Sequence, residues 1–179
     1  MRIGVIGGGT VGGALAATWK AKGRDVVVST RDTVAETARG ADVVVLAVPG
    51  SEVAAALAQA GSLAGKVVVD ATNNLSGGPA GLEIAELVPD ARYVKAFNTV
   101  FATFMHDTPP SEPPPALVFC GDDADAKEIV AVLIGDLGFE PVDVGGPEAT
   151  PWVESLAQLV ITLAYGLRRG PFVYRFQAS

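Results

Sequence analysis

A strand-like run from Arg2 to Ile6 leads into a turn with glycine at positions 7, 9 and 12, and an amphipathic stretch follows at once. In that stretch Val11, Leu15 and Trp19 recur every four residues beside Ala14, Ala17 and Ala21, the pattern of a helix packed closely on a sheet. A second valine-rich run, Asp25 to Val28, completes a strand–turn–helix–strand unit. In this context Gly7 permits the tight turn, Gly9 the close approach of a pyrophosphate, and Gly12 the contact of helix with strand. The helix N-terminus offers its free N–H groups to the phosphates, which predicts a dinucleotide site.

The same alternation continues along the chain. Asp42 to Val48, Lys66 to Val69, Arg92 to Ala96, Ala116 to Cys120 and Glu140 to Val144 read as further strands. Helices are expected after Ser51, which could cap Glu52 to Gln59, from Leu82 to Val88, and from Asp122 to Leu137 behind an Asp cap. Residues 74–81, "NLSGGPAG", read as a loop, with Pro89 stopping the helix that follows. The order predicts an α/β fold, a doubly wound, mainly parallel sheet of Rossmann type with right-handed crossovers. His106 to Pro115 holds five prolines in ten residues and forms a stiff connector or a lid. Gly145-Gly146-Pro147 punctuates the chain before a helix from about Pro151 to Leu167. The expected division is a nucleotide-binding domain over 1–145 and a small C-terminal helical appendage over 146–179, too short to fold alone.

Nucleotide choice is written at the end of the second strand. An NAD site usually places Asp or Glu there, whereas this chain has Ser29-Thr30-Arg31. Two hydroxyls and a guanidinium match a 2′-phosphate, so NADP is expected. Asp32 adds a negative charge beside that phosphate, and capping of a helix from Thr33 would account for it. Ala47-Val48-Pro49-Gly50 follows the third strand, beside the adenosine and pyrophosphate. Asp70-Ala71-Thr72-Asn73 and Ala96-Phe97-Asn98-Thr99 end the fourth and fifth strands, where they would meet the nicotinamide. Turn-forming Asn and helix-capping Thr account for those polar residues equally well.

Composition excludes several other functions. A net charge of −7 without a basic cluster argues against nucleic acid. Apolar residues make up 49% of the chain, enough for a core, yet no run approaches a membrane span. The chain opens on a strand and not on a charged segment with a cleavage site, so a cytoplasmic protein is expected. One His and one Cys make a metal site improbable. Cys120, among Leu117, Val118 and Phe119, reads as a buried strand thiol.

The segments "GVIGGGTVGGALA", "VVVSTRD", "DVVVLAVP", "VVVDATN", "VKAFNTVFA" and "WVESLAQLVITLA" resemble the coenzyme F420-dependent NADP oxidoreductase family, whose fold also occurs in the cytosolic domain of Steap metalloreductases. The resemblance spans nearly the whole chain, with "VKAFNT" and "VESL" its most specific parts. It implies hydride transfer between NADPH and the deazaflavin F420, in a homodimer. By position it assigns Thr10, Val11 and Gly12 to the pyrophosphate, Thr30 and Arg31 to the 2′-phosphate, Val48 and Pro49 to the nucleotide wall, and Asn98 with Ala102 to the reacting rings. The chain departs from the family at Asp32, where basic residues accompany the arginine, and in a shorter connection between the second and third strands.

Hydride transfer between two rings needs little side-chain chemistry, so no catalytic residue is assigned. His106 with Asp107 reads as a solvated turn in preference to a proton-transfer pair, and Lys95 and Glu154 receive no catalytic role. A flavin is the alternative acceptor. Two rival functions are a β-hydroxyacid or imine dehydrogenase-like reductase, and a non-catalytic NADP sensor. Leu156 to Leu167 is apolar enough to require burial on the sheet or in a dimer.

Overall fold

The structure, a computed structural model, describes residues 1–74 and 80–176. Valine-rich runs form the strands, because branched side chains suit a pleated sheet covered on both faces. Seven strands lie in one sheet in the order β2-β1-β3-β4-β5-β6-β7. They are β1 (Arg2–Ile6), β2 (Asp25–Val28), β3 (Val43–Leu46), β4 (Val67–Asp70), β5 (Arg92–Lys95), β6 (Ala116–Gly121) and β7 (Glu140–Asp143). β1 to β5 are mutually parallel, β6 enters antiparallel to β5, and β7 is again parallel to β6. This is a Rossmann-like α/β sheet.

Alternate residues of each strand face opposite layers. Val43, Val45, Val67 and Val69 pack with α1 (Thr10–Ala21), α5 (Ala102–His106) and α6 (Ala124–Asp136). Val44, Leu46 and Val68 pack with α2 (Val34–Gly40), α3 (Val53–Ala60) and α4 (Gly81–Leu87). The first layer is clasped by Trp19, fully buried, whose indole N–H donates to the Leu133 carbonyl at 3.0 Å. Arg24 adds a two-pronged pair with Asp136, at 2.7 and 3.0 Å. α7 (Thr150–Ile161) packs through Val153 on Val118 and Cys120 of β6, and one turn of wider π-helix, Thr162–Gly166, continues it. The tail then returns, and the Tyr174 carbonyl accepts the N–H of Ala116 at 2.8 Å.

Several expected boundaries move. β3 is shorter than Asp42 to Val48, although the Ala47 N–H still donates to the Ile6 carbonyl. Ser51 caps nothing: a 3-10 turn, Gly50–Glu52, precedes α3 and brings the chain into the helix without a side-chain cap. Asp32 is no cap either, because α2 begins at Val34 and Thr33 turns its hydroxyl back to the N–H of Thr30. Asp123 does cap α6, accepting the Ala126 N–H at 2.7 Å. The expected loop over 74–81 lies partly outside the described residues, and Gly81 already belongs to α4.

His106 closes α5 and does not open the proline-rich segment. That segment is a connector where it is best anchored: the Thr108 hydroxyl shares its one proton between the carbonyls of Phe104 and Leu137. Pro109, Pro110 and Ser111 lie near Lys22, just past the end of α1. The glycine turn is at the other end of that helix, about 18 Å away, so these residues do not cover it. Among the described residues no helix is long and apolar enough to cross a membrane.

Trp19→Ala should cost about 3–5 kcal/mol, because it leaves a large cavity and an unpaired carbonyl. The measurement is a lowered urea midpoint at constant m-value.

Candidate functional site

The strand order places the carboxyl ends of β2, β1, β3, β4 and β5 side by side. Residues 29–31, 7–9, 47–50, 71–74 and 96–99 therefore line one edge in that sequence. At about 4.8 Å per strand, β2 and β5 stand about 19 Å apart. The chain leaves β1 for β2 on one side and returns to β3 on the other, so a crevice opens between β1 and β3, where open α/β sheets collect ligands.

The glycines of the turn differ in what requires them. Gly7 has φ +106°, and a Cβ there would collide with the Ala47 carbonyl. A Cβ on Gly12 would collide with the Gly7 carbonyl and crowd Val5, so this residue lets α1 sit directly on the strand. Gly9 has an ordinary φ of −71° and nothing within 4 Å of its missing Cβ. Nothing among the described residues demands glycine at position 9; a group approaching from outside would. Thr10 is exposed and Val11 half-buried at the first turn of α1, whose N–H groups have no side-chain cap.

At the β2 end, the Ser29 N–H donates to the Val5 carbonyl. The Thr30 hydroxyl is shared with Thr33 at 3.0 Å, which shapes a tight turn and presents Arg31 and Asp32 to solvent. Arg31 makes no ion pair with any described residue. Ala47 and Val48 are half-buried and Pro49 is exposed beside the crevice.

The β4 and β5 ends hold a buried polar cluster. Asp70 and Lys95, opposite each other in the parallel register, are both fully buried and pair at 2.9 Å. Asp70 also accepts the Tyr93 hydroxyl at 2.9 Å, and the N–H and hydroxyl of Thr72 at 2.9 and 2.7 Å. The Lys95 ammonium donates to the Thr72 carbonyl at 2.8 Å and lies 3.3 Å from Glu154 of α7. Glu154 in turn accepts the Gly81 N–H at the start of α4. Burial and the neighbouring Asp70 carboxylate push the Tyr93 phenol far above its ordinary range, so it remains a donor.

Beyond the cluster, Asn73 and Asn98 clasp each other. The Asn73 amide donates to the Asn98 carbonyl at 3.2 Å, and the Asn98 amide donates to Asn73 Oδ1 at 3.3 Å. Asn98 Oδ1 is buried and has no hydrogen-bond partner among the described residues, which suits a donor brought by a ligand. Phe97, just before it, has φ +68°, a strained conformation for a bulky residue, held by its edge-on contact with Trp19 at 5.5 Å. Ala71 is buried, its N–H on the Leu46 carbonyl, and Ala102 is half-buried at the start of α5.

Lys95 and Glu154 are therefore more than a strand end and a helix surface residue. The signal in the sequence is one charge of opposite sign closing each of two adjacent strands, "VVVD" and "RYVK". His106 and Asp107 form no hydrogen bond with each other and are exposed. Cys120 is buried beside Thr150, and burial pushes its thiol above the ordinary range. Among the described residues no three His, Cys, Asp or Glu side chains gather as metal ligands do.

A protein from Arthrobacter sp. FB24, described as a candidate F420-dependent NADP reductase, superposes with a TM-score of 0.89. It is 30% identical, over 99% of this chain and 100% of that one. The chain belongs to the F420-dependent NADP oxidoreductase family. The family model, NADP oxidoreductase coenzyme F420-dependent, matches residues 29–74, which run from the β2 end to the 71–74 loop. Metalloreductase STEAP3 of Rattus norvegicus is 27% identical over 87% of this chain. The chain spans only 36% of that curated relative's length. A reductive aminase from Aspergillus terreus, solved with NADPH4, shares the fold at 16% identity and a TM-score of 0.71, over 93% of this chain and 62% of that one. Family and fold support an NADP-dependent oxidoreductase.

Lys95→Met should destabilise the protein by about 3–5 kcal/mol, because it leaves the Asp70 carboxylate buried without its cation. Chemical denaturation measures this. A loss below about 1 kcal/mol would mean that the pair behaves as an exposed one does.

Proposed function

We propose that the protein binds NADPH along the strand-end edge and passes its hydride to a deazaflavin or flavin. The observation that carries the reading is Gly9, a glycine that the fold itself does not require. In this arrangement the pyrophosphate lies over Gly9 and the N–H groups of Thr10, Val11 and Gly12. Ser29, Thr30 and Arg31 receive the 2′-phosphate. Ala47, Val48 and Pro49 wall the nucleotide, and Ala71, Thr72, Asn73, Asn98 and Ala102 frame the nicotinamide. Asn98 Oδ1 then accepts the carboxamide N–H.

NADPH, when bound, supplies a hydride that the acceptor takes together with one proton from water, leaving NADP+ and the reduced acceptor. The protein's part is to position two rings and exclude water, which agrees with an edge built from amides, hydroxyls and alanines. Deazaflavin is favoured among acceptors by the family model and by the description of the Arthrobacter protein. The exposed Trp152, Leu159 and Tyr165, on α7 and the turn after it, support a homodimer formed through that face. One buried, unpaired cysteine suits the reducing cytoplasm.

Arg31→Ala should weaken NADPH binding about 10- to 100-fold, the worth of one or two charge-assisted hydrogen bonds, and leave NADH unchanged. Titration calorimetry with both nucleotides measures this, and equal losses would remove the 2′-phosphate assignment. Gly9→Ala should abolish tight NADPH binding while changing stability by less than about 1 kcal/mol. Turnover is tested by mixing NADPH with F420 and with free flavins. Tight NADPH binding without turnover of any of them would make the protein a sensor and not an enzyme.

A further inference from the structure

A second cavity, of about 310 Å³, opens beyond the Asn73–Asn98 clasp, between the 73–74 loop and α7. It is lined by Asn73, Asn74, Pro151, Glu154, Ser155 and Gln158. Three amides, a hydroxyl and a carboxylate surround it, and none of its described lining residues is a cation. Asn73 belongs both to this cavity and to the clasp, so an occupant would abut the place proposed for the nicotinamide.

The electrostatics of the cavity are unusual for a site meant to take a phosphorylated coenzyme. Behind Glu154 stand Lys95 and Asp70, two carboxylates against one ammonium. Lys95 is fully buried, and its donors are taken by Asp70 and the Thr72 carbonyl, with Glu154 close by, so it cannot reach an incoming anion. Glu154 Oε1 takes the Gly81 N–H and faces Lys95, whereas Oε2 receives no hydrogen bond from a described residue. The Glu154 side chain is 24% exposed. The Ser155 hydroxyl donates to the Pro151 carbonyl at 2.7 Å, which leaves its lone pairs as acceptors. Asn73 and Gln158 each spend one amide N–H, on the Asn98 carbonyl and the Thr162 hydroxyl, and keep a second, so the cavity offers acceptors, two amide N–H groups and one net negative charge.

Such a set matches an uncharged ring edge in which an N–H lies between two carbonyls. It repels phosphate and carboxylate. We propose that this cavity is the subsite of the hydride acceptor, that it takes the imide edge of a flavin-type ring, and that any anionic tail of the acceptor points away from it. This rests on the proposed NADPH-to-flavin or deazaflavin reading and adds a preference to it: the ring without its phosphate is bound more tightly than the phosphorylated form.

The test is equilibrium binding of riboflavin and of FMN to the protein saturated with NADP+, read by quenching of flavin fluorescence. Riboflavin is expected to bind about tenfold more tightly than FMN, a difference on the scale of one unmatched charge. Ser155→Trp, at an exposed α7 position, fills the cavity and should weaken riboflavin more than about tenfold, with the NADPH Kd unchanged within about twofold. Glu154→Gln should narrow the gap between riboflavin and FMN. FMN binding as tightly as riboflavin or more tightly, or riboflavin indifferent to Ser155→Trp, overturns the subsite. So does Ser155→Trp weakening NADPH as much as riboflavin, since the cavity would then belong to the nicotinamide. If NADPH reduces an acceptor in the wild type but Ser155→Trp leaves that rate intact, the subsite fails and the oxidoreductase reading stands. If NADPH binds and no flavin or deazaflavin binds or turns over, both fail.

Discussion

An ammonium group without access to water fastens the end of the sheet that carries the proposed site. Lys95 joins β5 to Asp70 of β4, to the carbonyl of Thr72 in the loop beyond, and to Glu154 of α7. Removing a charge from water is expensive, and the arrangement is tolerable because every partner is supplied by the fold. Asp70 accepts from Tyr93 and twice from Thr72, so neither member of the pair is left with an unmet bond. The 71–73 loop therefore has few conformations open to it.

A second constraint works on the neighbouring strand end. Phe97 adopts a left-handed backbone that a large side chain disfavours, and its ring is locked against Trp19. The turn so formed delivers Asn98 to Asn73 and leaves one amide oxygen buried without a partner among the described residues. Strain and an unmet acceptor together at one strand end support the binding edge proposed for the nicotinamide. Trp19 links this edge to the core, because the same indole holds α6 through the Leu133 carbonyl. Packing and site geometry are continuous here.

Much of this was legible in the sequence. β1 and β2 are readable to the residue, because Val and Ile in short runs between Gly and charged residues leave little choice. The glycine turn is readable for the same local reason. Strand direction is another matter: nothing in "ALVFC" encodes the antiparallel entry of β6, which depends on partners distant in the chain. Ser51 and Asp32 have the chemistry of caps, yet a 3-10 turn and the Thr30–Thr33 bond take over the two helix starts. For Lys95 the sequence held only the hint of opposite charges closing two strands, and for Glu154 nothing local, because their meaning lies in register and packing. Only the pairing of Asp70 with Lys95, and the approach of α7, turn two ordinary charges into a network.

The solitary thiol has a practical side. Cys120 is fully buried in β6 and held against Thr150, and the chain has no other cysteine. The natural protein is thus already a background for site-directed labelling. One cysteine placed on the solvent face of α7, and another in the exposed stretch after Thr108, would carry a pair of probes without first removing a native thiol. The distance between α7 and that stretch, which lies beyond the far end of α1, could then be followed in solution as nucleotide is added.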